Sequence, residues 1–489
     1  MNMKKLSLLL AFSLASILLT LSASAQYNDA YRPQFHFTRP TVKIGDPCAM
    51  LHYKGVWRCF SWDQQTSTDL VYWSIGGWPF RGPIPPGNAL FTGSGVVDLK
   101  NSSGFGSTSS PPMIIAYTLH DNSTMQENIA IASSVDYVNF NSYNNGNPVI
   151  NAPTMVFRDC DVSWDEQLGL WIMLVSQSNQ IDIYTSTDLK SWQFKSAFAP
   201  GGGQFFECPG IARIPVKGVL DKKKWVLYSG PGTKNCQYWV GNFDGTTFTQ
   251  DGAPQAQGLF LNAGMDFYAA RVIRDFDGGQ CVYMIAWQDN WDYAGSLPTS
   301  FGSGWTIPRR LQLLLTAQGY KIVQEPLAAL QNLRGPLAIG IPRKLQGSVP
   351  LTEFQPTTNT YEIIANFQLT PQTQKFGFNL CVGGGNKVVL GYDVAAGNLF
   401  LDRTHSGNTS FSPNFPVVTT APFSTSDGKV KFQIFVDQNS VEVFVNDGLV
   451  MFSSLIFPAS TNTGIELWSD NAVVQLKSLS AWPLKSIWH

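Results

Sequence analysis

Apolar residues along this chain come in short blocks set off by turn residues. "LWIMLVS" (Leu170 to Ser176) and "KWVLYSG" (Lys224 to Gly230) are near-continuous apolar runs of strand length. "YEIIANFQL" (361–369), "KVVLGYDV" (387–394), "NLFLDRT" (398–404) and "KVKFQIFVDQNSVEVFVNDG" (429–448) alternate apolar and polar positions. A period of two puts one face of a strand on a core and the other toward solvent. Helical periodicity of any length is missing; the one candidate, "EPLAALQNL" (Glu325 to Leu333), is a short connector. Asn446-Asp447-Gly448 between two alternating runs is a hairpin signal.

One short pattern recurs. "STDLVYW", "SSVDYVNF", "TSTDLKSW" and "GNFDGTTF" place Asp69, Asp136, Asp188 and Asp244 four residues ahead of Trp73, Phe140, Trp192 and Phe248. The aspartates are 67, 52 and 56 residues apart. Strand, tight turn, strand at this period is the mark of a β-propeller, in which each repeat is one four-stranded sheet facing a central axis. After Pro336 the texture changes to regular alternation and turn clusters, which predicts a β-sandwich. The expected organisation is a propeller over 26–335, a linker over 336–347 and a sandwich over 348–489.

Residues 1–25 read as a secretory signal: Lys4 and Lys5, an apolar stretch from Leu6 to Leu21, and the small-residue site Ala23-Ser24-Ala25. Its removal takes away two lysines and no acids, moving the formal charge from −1 to −3. No basic stripe remains to attract nucleic acid or a membrane surface. The expected location is extracellular, and Asn101, Asn122 and Asn408 are sequons. Apolar residues make up 44% and charged residues only 14%, with 43 Gly and 29 Pro, a composition for many strands and turns. The seven cysteines (48, 59, 160, 208, 236, 281, 381) show no zinc spacing, so no metal is expected, and their odd number leaves at least one thiol unpaired or bonded between molecules.

Three acids stand in a shared phase against the repeat. Asp46 in "GDPCA", Asp159 in "VFRDCDVSW" and Glu207 in "FFECPGIARI" precede Asp69, Asp188 and Asp244 by 23, 29 and 37 residues. Each falls at the start of a repeat, where a propeller's first strand lines the axis, so the three converge in one funnel. Phe205 and Phe206 beside Glu207 predict a raised pKa, which suits a general acid. An ionised nucleophile, a protonated acid and a charge stabiliser form the constellation of glycoside cleavage.

At these residues the chain resembles glycoside hydrolase family 32, the invertases, inulinases, levanases and related fructosyltransferases. The likeness runs from "YRPQFHF" through "GDPCA", "LFTGSGVVD", "FRDC", "FECPG", "MDFYAA", "IAWQDNWDYAGSLPTS" and "WTIPRRL" to "VEVFVNDG". It implies a five-bladed propeller followed by a β-sandwich. It also implies Asp46 as nucleophile, Asp159 as transition-state stabiliser and Glu207 as acid/base. Arg158 and Asp266 match residues that hold fructose hydroxyls, and Phe91, Thr92 and Trp287 match the wall of the fructose pocket. Against the family's Asn-Asp-Pro-Asn-Gly the chain has Gly45-Asp46-Pro47-Cys48-Ala49, against Arg-Asp-Pro it has Cys160, and in the shortened "RCFSWDQQTSTDL" Trp62 stands near a family Gln.

The expected protein is a secreted, retaining β-fructofuranosidase that cleaves sucrose or fructans without a cofactor. A fructosyltransferase uses the same acids with a sugar hydroxyl in place of water. A non-catalytic fructan-binding lectin is the reading from another class, and the survival of all three acids argues against it.

Overall fold

The computed structural model describes Tyr27 and residues 29–61 and 63–488. The proposed signal, residues 1–25, and Trp62 lie outside the described residues. The described chain is all-β apart from three short 3₁₀ turns. One of these, Ala328–Leu333, is the connector expected from "EPLAALQNL"; Glu325 and Pro326 close the strand before it.

The N-terminal part consists of groups of four antiparallel strands, two of the groups carrying an extra two-residue strand, Phe80–Arg81 and Leu259–Phe260. Their first strands are Leu51–Tyr53, Asn88–Val97, Arg158–Asp165, Glu207–Pro215 and Tyr268–Asp275. Each lies against the next. The circuit closes where Leu51–Tyr53 pairs in parallel with Tyr268–Asp275, in the register Leu51↔Arg274 and His52↔Asp275. The first and last groups thereby form one eight-stranded sheet, and the arrangement is propeller-like.

The recurrent aspartates make the turn into the outermost strand. Asp69 Oδ1 accepts from the backbone N–H groups of Val71 and Tyr72, both at 2.9 Å. Asp136, Asp188 and Asp244 repeat the contact with the residues two and three further on. The residue after each Asp is left-handed: Leu70, Tyr137 and Leu189 at φ 65°, 63° and 61°, and Gly245 at 94°. In the first three, a Ser two residues before the Asp accepts from that strained N–H. Local side-chain bonds thus hold a backbone that non-glycine residues avoid.

In the C-terminal part the alternating runs become strands sharing one core. Ile363, Phe367, Phe376, Leu390, Phe432 and Val443 all lie in it, fully shielded from solvent. Two separate sheets were expected; instead the twenty-residue strand Gly464–Pro483 runs through both halves. Its start pairs with Lys375–Gly383 and its end with Tyr361–Gln368. The register against Arg343–Pro350 breaks between Leu345 and Gly347, where the long strand advances from 474 to 469. Such an irregularity bends a strand and lets it pass from one layer to the other. Within 336–347, Ala338–Gly340 and the beginning of Arg343–Pro350 are strands on this same element. The Asn446-Asp447-Gly448 hairpin joins Ser440–Val445 to Val450–Leu455, with φ of 46°, 57° and 81°. Gly448 packs against the Gln324 backbone, where an added Cβ would fall 1.7 Å from the carbonyl oxygen.

Candidate active site

Three of the first strands open in the same way. Phe157-Arg158-Asp159, Phe206-Glu207-Cys208 and Phe267-Tyr268-Ala269 each start with a fully buried Phe. The third residue is left-handed in each: Asp159, Cys208 and Ala269 at φ 62°, 49° and 49°. A bulge follows, between Arg158 and Asp161, Glu207 and Gly210, and Tyr268 and Arg271. The buried Phe anchors the strand while the bulge re-aims the residues after it.

The result is a cavity of about 560 Å³ whose lining includes Asp46, Arg158, Asp159 and Glu207. Phe91, Thr92 and Trp287 also line it. Thr92 Oγ1 donates to Asp46 Oδ2 at 2.8 Å. The Cys208 N–H donates to Asp159 Oδ2 at 3.1 Å, and the Cys208 thiol lies 3.6 Å from that oxygen and 3.7 Å from Asp46 Oδ2. Tyr268 Oη donates to Glu207 Oε2 at 2.7 Å, and Arg158 Nη1 reaches Glu207 Oε1 at 3.4 Å. Arg158 is oriented from behind by Glu127, at 3.0 Å from its Nε.

Burial raises the pKa of Asp46, opposed by the Thr92 hydroxyl and the positive charge of Arg271. Burial also raises Asp159, and the carboxylates of Glu207 and Asp46 push it further. Glu207 is raised by burial against the pull of Tyr268 and Arg158. Three carboxyls thus share a desolvated space in which burial raises each of them and their charges act on one another, the condition in which proton positions diverge. The Cys48 thiol beside Asp46 is pushed up to about 12 by burial and the Asp46 charge. Cys160 turns into the core instead of the cavity. Among the described residues all seven cysteines are free. No group of three His, Cys, Asp or Glu among these residues is arranged to hold a metal ion.

One expected site residue is elsewhere. Asp266 is not among the residues lining the cavity; it is fully buried behind it. Its carboxylate accepts from Arg403 Nη1 and the Leu455 N–H, both at 2.7 Å, from Asn290 Nδ2 at 2.9 Å and from Tyr293 Oη. With those partners it has no need of a sugar. It instead tethers the Asn290–Tyr293 segment, next to Trp287 and Trp291 of the wall. The acid that lines the cavity on this side is Asp289. Sequence reasoning also missed Tyr268, although the shared Phe-X-X phase of the three strands marks it as the counterpart of Arg158 and Glu207.

The glycosyl hydrolases family 32 N-terminal domain model matches residues 36–326, and the C-terminal model of the same family matches residues 330–483. A levanase of Bacillus subtilis (strain 168) is 34% identical, covering 97% of this chain and 74% of that protein. An extracellular exo-inulinase of Aspergillus awamori is 31% identical over 97% of this chain and 98% of its own length. The crystal structure of exo-inulinase from Aspergillus awamori superimposes with a TM-score of 0.86 at 30% identity, covering 94% of this chain and all of that one. A fructofuranosidase from Schwanniomyces occidentalis complexed with fructosylnystose gives 0.82 at 26% identity, over 94% and 98% of the two chains. With both family models matching in order over most of its length, the chain belongs to glycoside hydrolase family 32 and is a glycosidase.

Proposed function

We propose that this protein is a secreted, retaining β-fructofuranosidase that cleaves terminal β-fructosidic bonds of sucrose, inulin or levan. The carrying observation is the meeting of Asp46, Asp159 and Glu207 in one cavity, each held by a donor from a neighbouring strand. The names of the levanase, exo-inulinase and invertase relatives support the substrate class.

In this reading Asp46 attacks the anomeric carbon of the fructosyl unit as Glu207 protonates the departing glycosidic oxygen. Glu207, now ionised, takes a proton from water, whose oxygen displaces Asp46 and returns the anomeric configuration to its starting sense. Asp159 and Arg158 hold ring hydroxyls and favour the oxocarbenium-like transition state. The Thr92 hydroxyl keeps one oxygen of Asp46 occupied, leaving the other for attack. The closed circuit of first strands is read as a five-bladed propeller over residues 26–335. The second domain is read as a sandwich whose strands start at Ala338.

A second reading concerns the acceptor. Trp78 and Trp291 line the cavity while 39% and 58% exposed, faces on which a second sugar can stack. Transfer to sucrose is therefore proposed at high sucrose, beside hydrolysis. The test is product chromatography on sucrose, inulin and levan, with proton NMR of the first fructose formed. β-Fructofuranose as the initial product supports retention, and no fructose from any of the three substrates sinks the reading.

A further inference from the structure

The wall between Trp287 and Trp291 holds an acid the mechanism does not use. Asp289 lines the cavity yet is only 1% exposed. Its Oδ1 accepts from the Asn290 N–H at 2.9 Å. Two other buried polar groups lie on the same wall. Trp287 Nε1 has no hydrogen-bond partner among the described residues, the Ser303 hydroxyl bears on the Asp289 carboxyl, and both residues line the cavity. A buried donor is rarely left without a partner, because it costs a desolvation penalty.

These groups belong to one corner with the nucleophile. Trp305 Nε1 donates to the carbonyl of Gly45, the residue before Asp46, at 3.1 Å. Trp305 also bridges to Trp287, and the Gln288 N–H donates to Gly304 at 2.9 Å. The Ser303–Trp305 segment is thereby fastened to Gly45 on one side and to the Trp287–Asp289 strand end on the other. At Gly45 an added Cβ would meet nothing within 4 Å, so the space beside the nucleophile is open.

We infer that Asp289, with the Ser303 hydroxyl and the Trp287 indole N–H, binds hydroxyl groups of the fructosyl unit whose anomeric carbon faces Asp46, and so helps determine specificity. The inference rests on the fructosidase reading above. The chemistry suits a hydroxyl better than a cation. Burial and the negative charge of Asp266 hold Asp289 well above the usual carboxylate range, while the Asn290 N–H, Ser303 and the Lys43 charge oppose this. Asp266 and Lys43 are the charged groups bearing on it. A neutral carboxyl both donates and accepts, as a sugar hydroxyl does. The tie through Trp305 to Gly45, the residue before the nucleophile, assigns it to the fructosyl unit and not to the leaving group.

The test uses the full chain and three measurements: kcat and KM on sucrose and on inulin, fructose binding by calorimetry, and melting temperature. Asp289→Leu keeps the number and branching of the heavy atoms and removes the hydrogen bonds; Asp289→Asn keeps a donor and an acceptor. The expected result for Asp289→Leu is a loss of roughly tenfold or more in kcat/KM, equal on both substrates. Fructose binding should weaken in parallel, the melting temperature should hold, and Asp289→Asn should recover most of the loss. Unchanged kcat/KM in Asp289→Leu overturns the inference. So does a loss confined to one substrate, which places the group at the leaving-group side. Equal damage and equal melting loss in both variants reduces Asp289 to a turn cap. A wild-type protein that binds fructose but cleaves neither substrate overturns the catalytic reading and leaves this inference standing; one that binds no fructose overturns the inference itself.

Discussion

Two regions of this molecule bury carboxylates, and they treat them in opposite ways. Where the propeller-like part meets the C-terminal sheet, Glu442 pairs with Arg309 at 2.6 Å and with His36 Nε2 at 3.0 Å. Asp437 takes His36 Nδ1 at 2.8 Å and the backbone N–H groups of Gln34 and Phe35. Asp266 takes Arg403. Here each acid has its cation, and although burial opposes it, Arg309 and His36 bring the pKa of Glu442 below its ordinary value. In the cavity Asp46, Asp159 and Glu207 are all raised instead. Burial is common to both regions. Incomplete pairing is what leaves a carboxyl able to exchange a proton or attack a carbon, and complete pairing makes it a fastening.

The largest expected effect breaks this contrast at its reactive end. Asp46→Ala and Glu207→Ala should each lower kcat by roughly three to four orders of magnitude, the scale of a lost covalent or acid/base step. Neither should lower the melting temperature. An Asp46→Ala enzyme keeping about a tenth of its turnover removes Asp46 as nucleophile.

The mirror experiment is Glu442→Ala. Leaving Arg309 and His36 buried without it should cost about 3–5 kcal/mol of stability. Denaturant unfolding checks this, and a loss below about 1 kcal/mol would show that the fastening is not one.

A third effect follows from His36. Burial disfavours its charge, but the hydrogen bonds to Asp437 and Glu442 outweigh that and raise its pKa to about 9. A group raised on folding contributes fully below its unfolded value near 6.5, and the contribution is lost as pH rises through about 9. The unfolding free energy should therefore decline between these values, by about 3 kcal/mol, and the decline should be missing from His36→Gln.

The smallest effect sharpens the reactive end. The Tyr268 hydroxyl lowers the pKa of Glu207. Tyr268→Phe should move the alkaline limb of kcat/KM to higher pH, since the acid then keeps its proton longer. A limb that stays or moves down would place the controlling proton elsewhere.

The same contrast divides what the sequence makes legible. The repeat was readable because it is local: Asp188 bonds groups two and three residues away. The phase of Asp46, Asp159 and Glu207 was readable because each precedes one of those turns, by 23, 29 and 37 residues, at the opening of its repeat. Asp266 was misplaced because its partner, Arg403, is 137 residues further on, and no local pattern announces it. Asp289 went unremarked because one acid between two tryptophans has no periodicity to betray it. The strands of the C-terminal part followed from alternation, but the single strand Gly464–Pro483 that pairs with both Lys375–Gly383 and Tyr361–Gln368 did not. A bulge changes register without changing composition.

The parallel pairing of Leu51–Tyr53 with Tyr268–Asp275 has a consequence in time. A ribosome adding roughly 5–20 residues per second needs about ten to forty seconds to travel between those strands. Until it arrives, the opening strand presents an unpaired backbone edge that any passing strand can occupy. The cell that makes this protein must carry a half-made ring through that interval, so a slow-translating message or a scarce chaperone would lower yield without altering one residue of the finished enzyme.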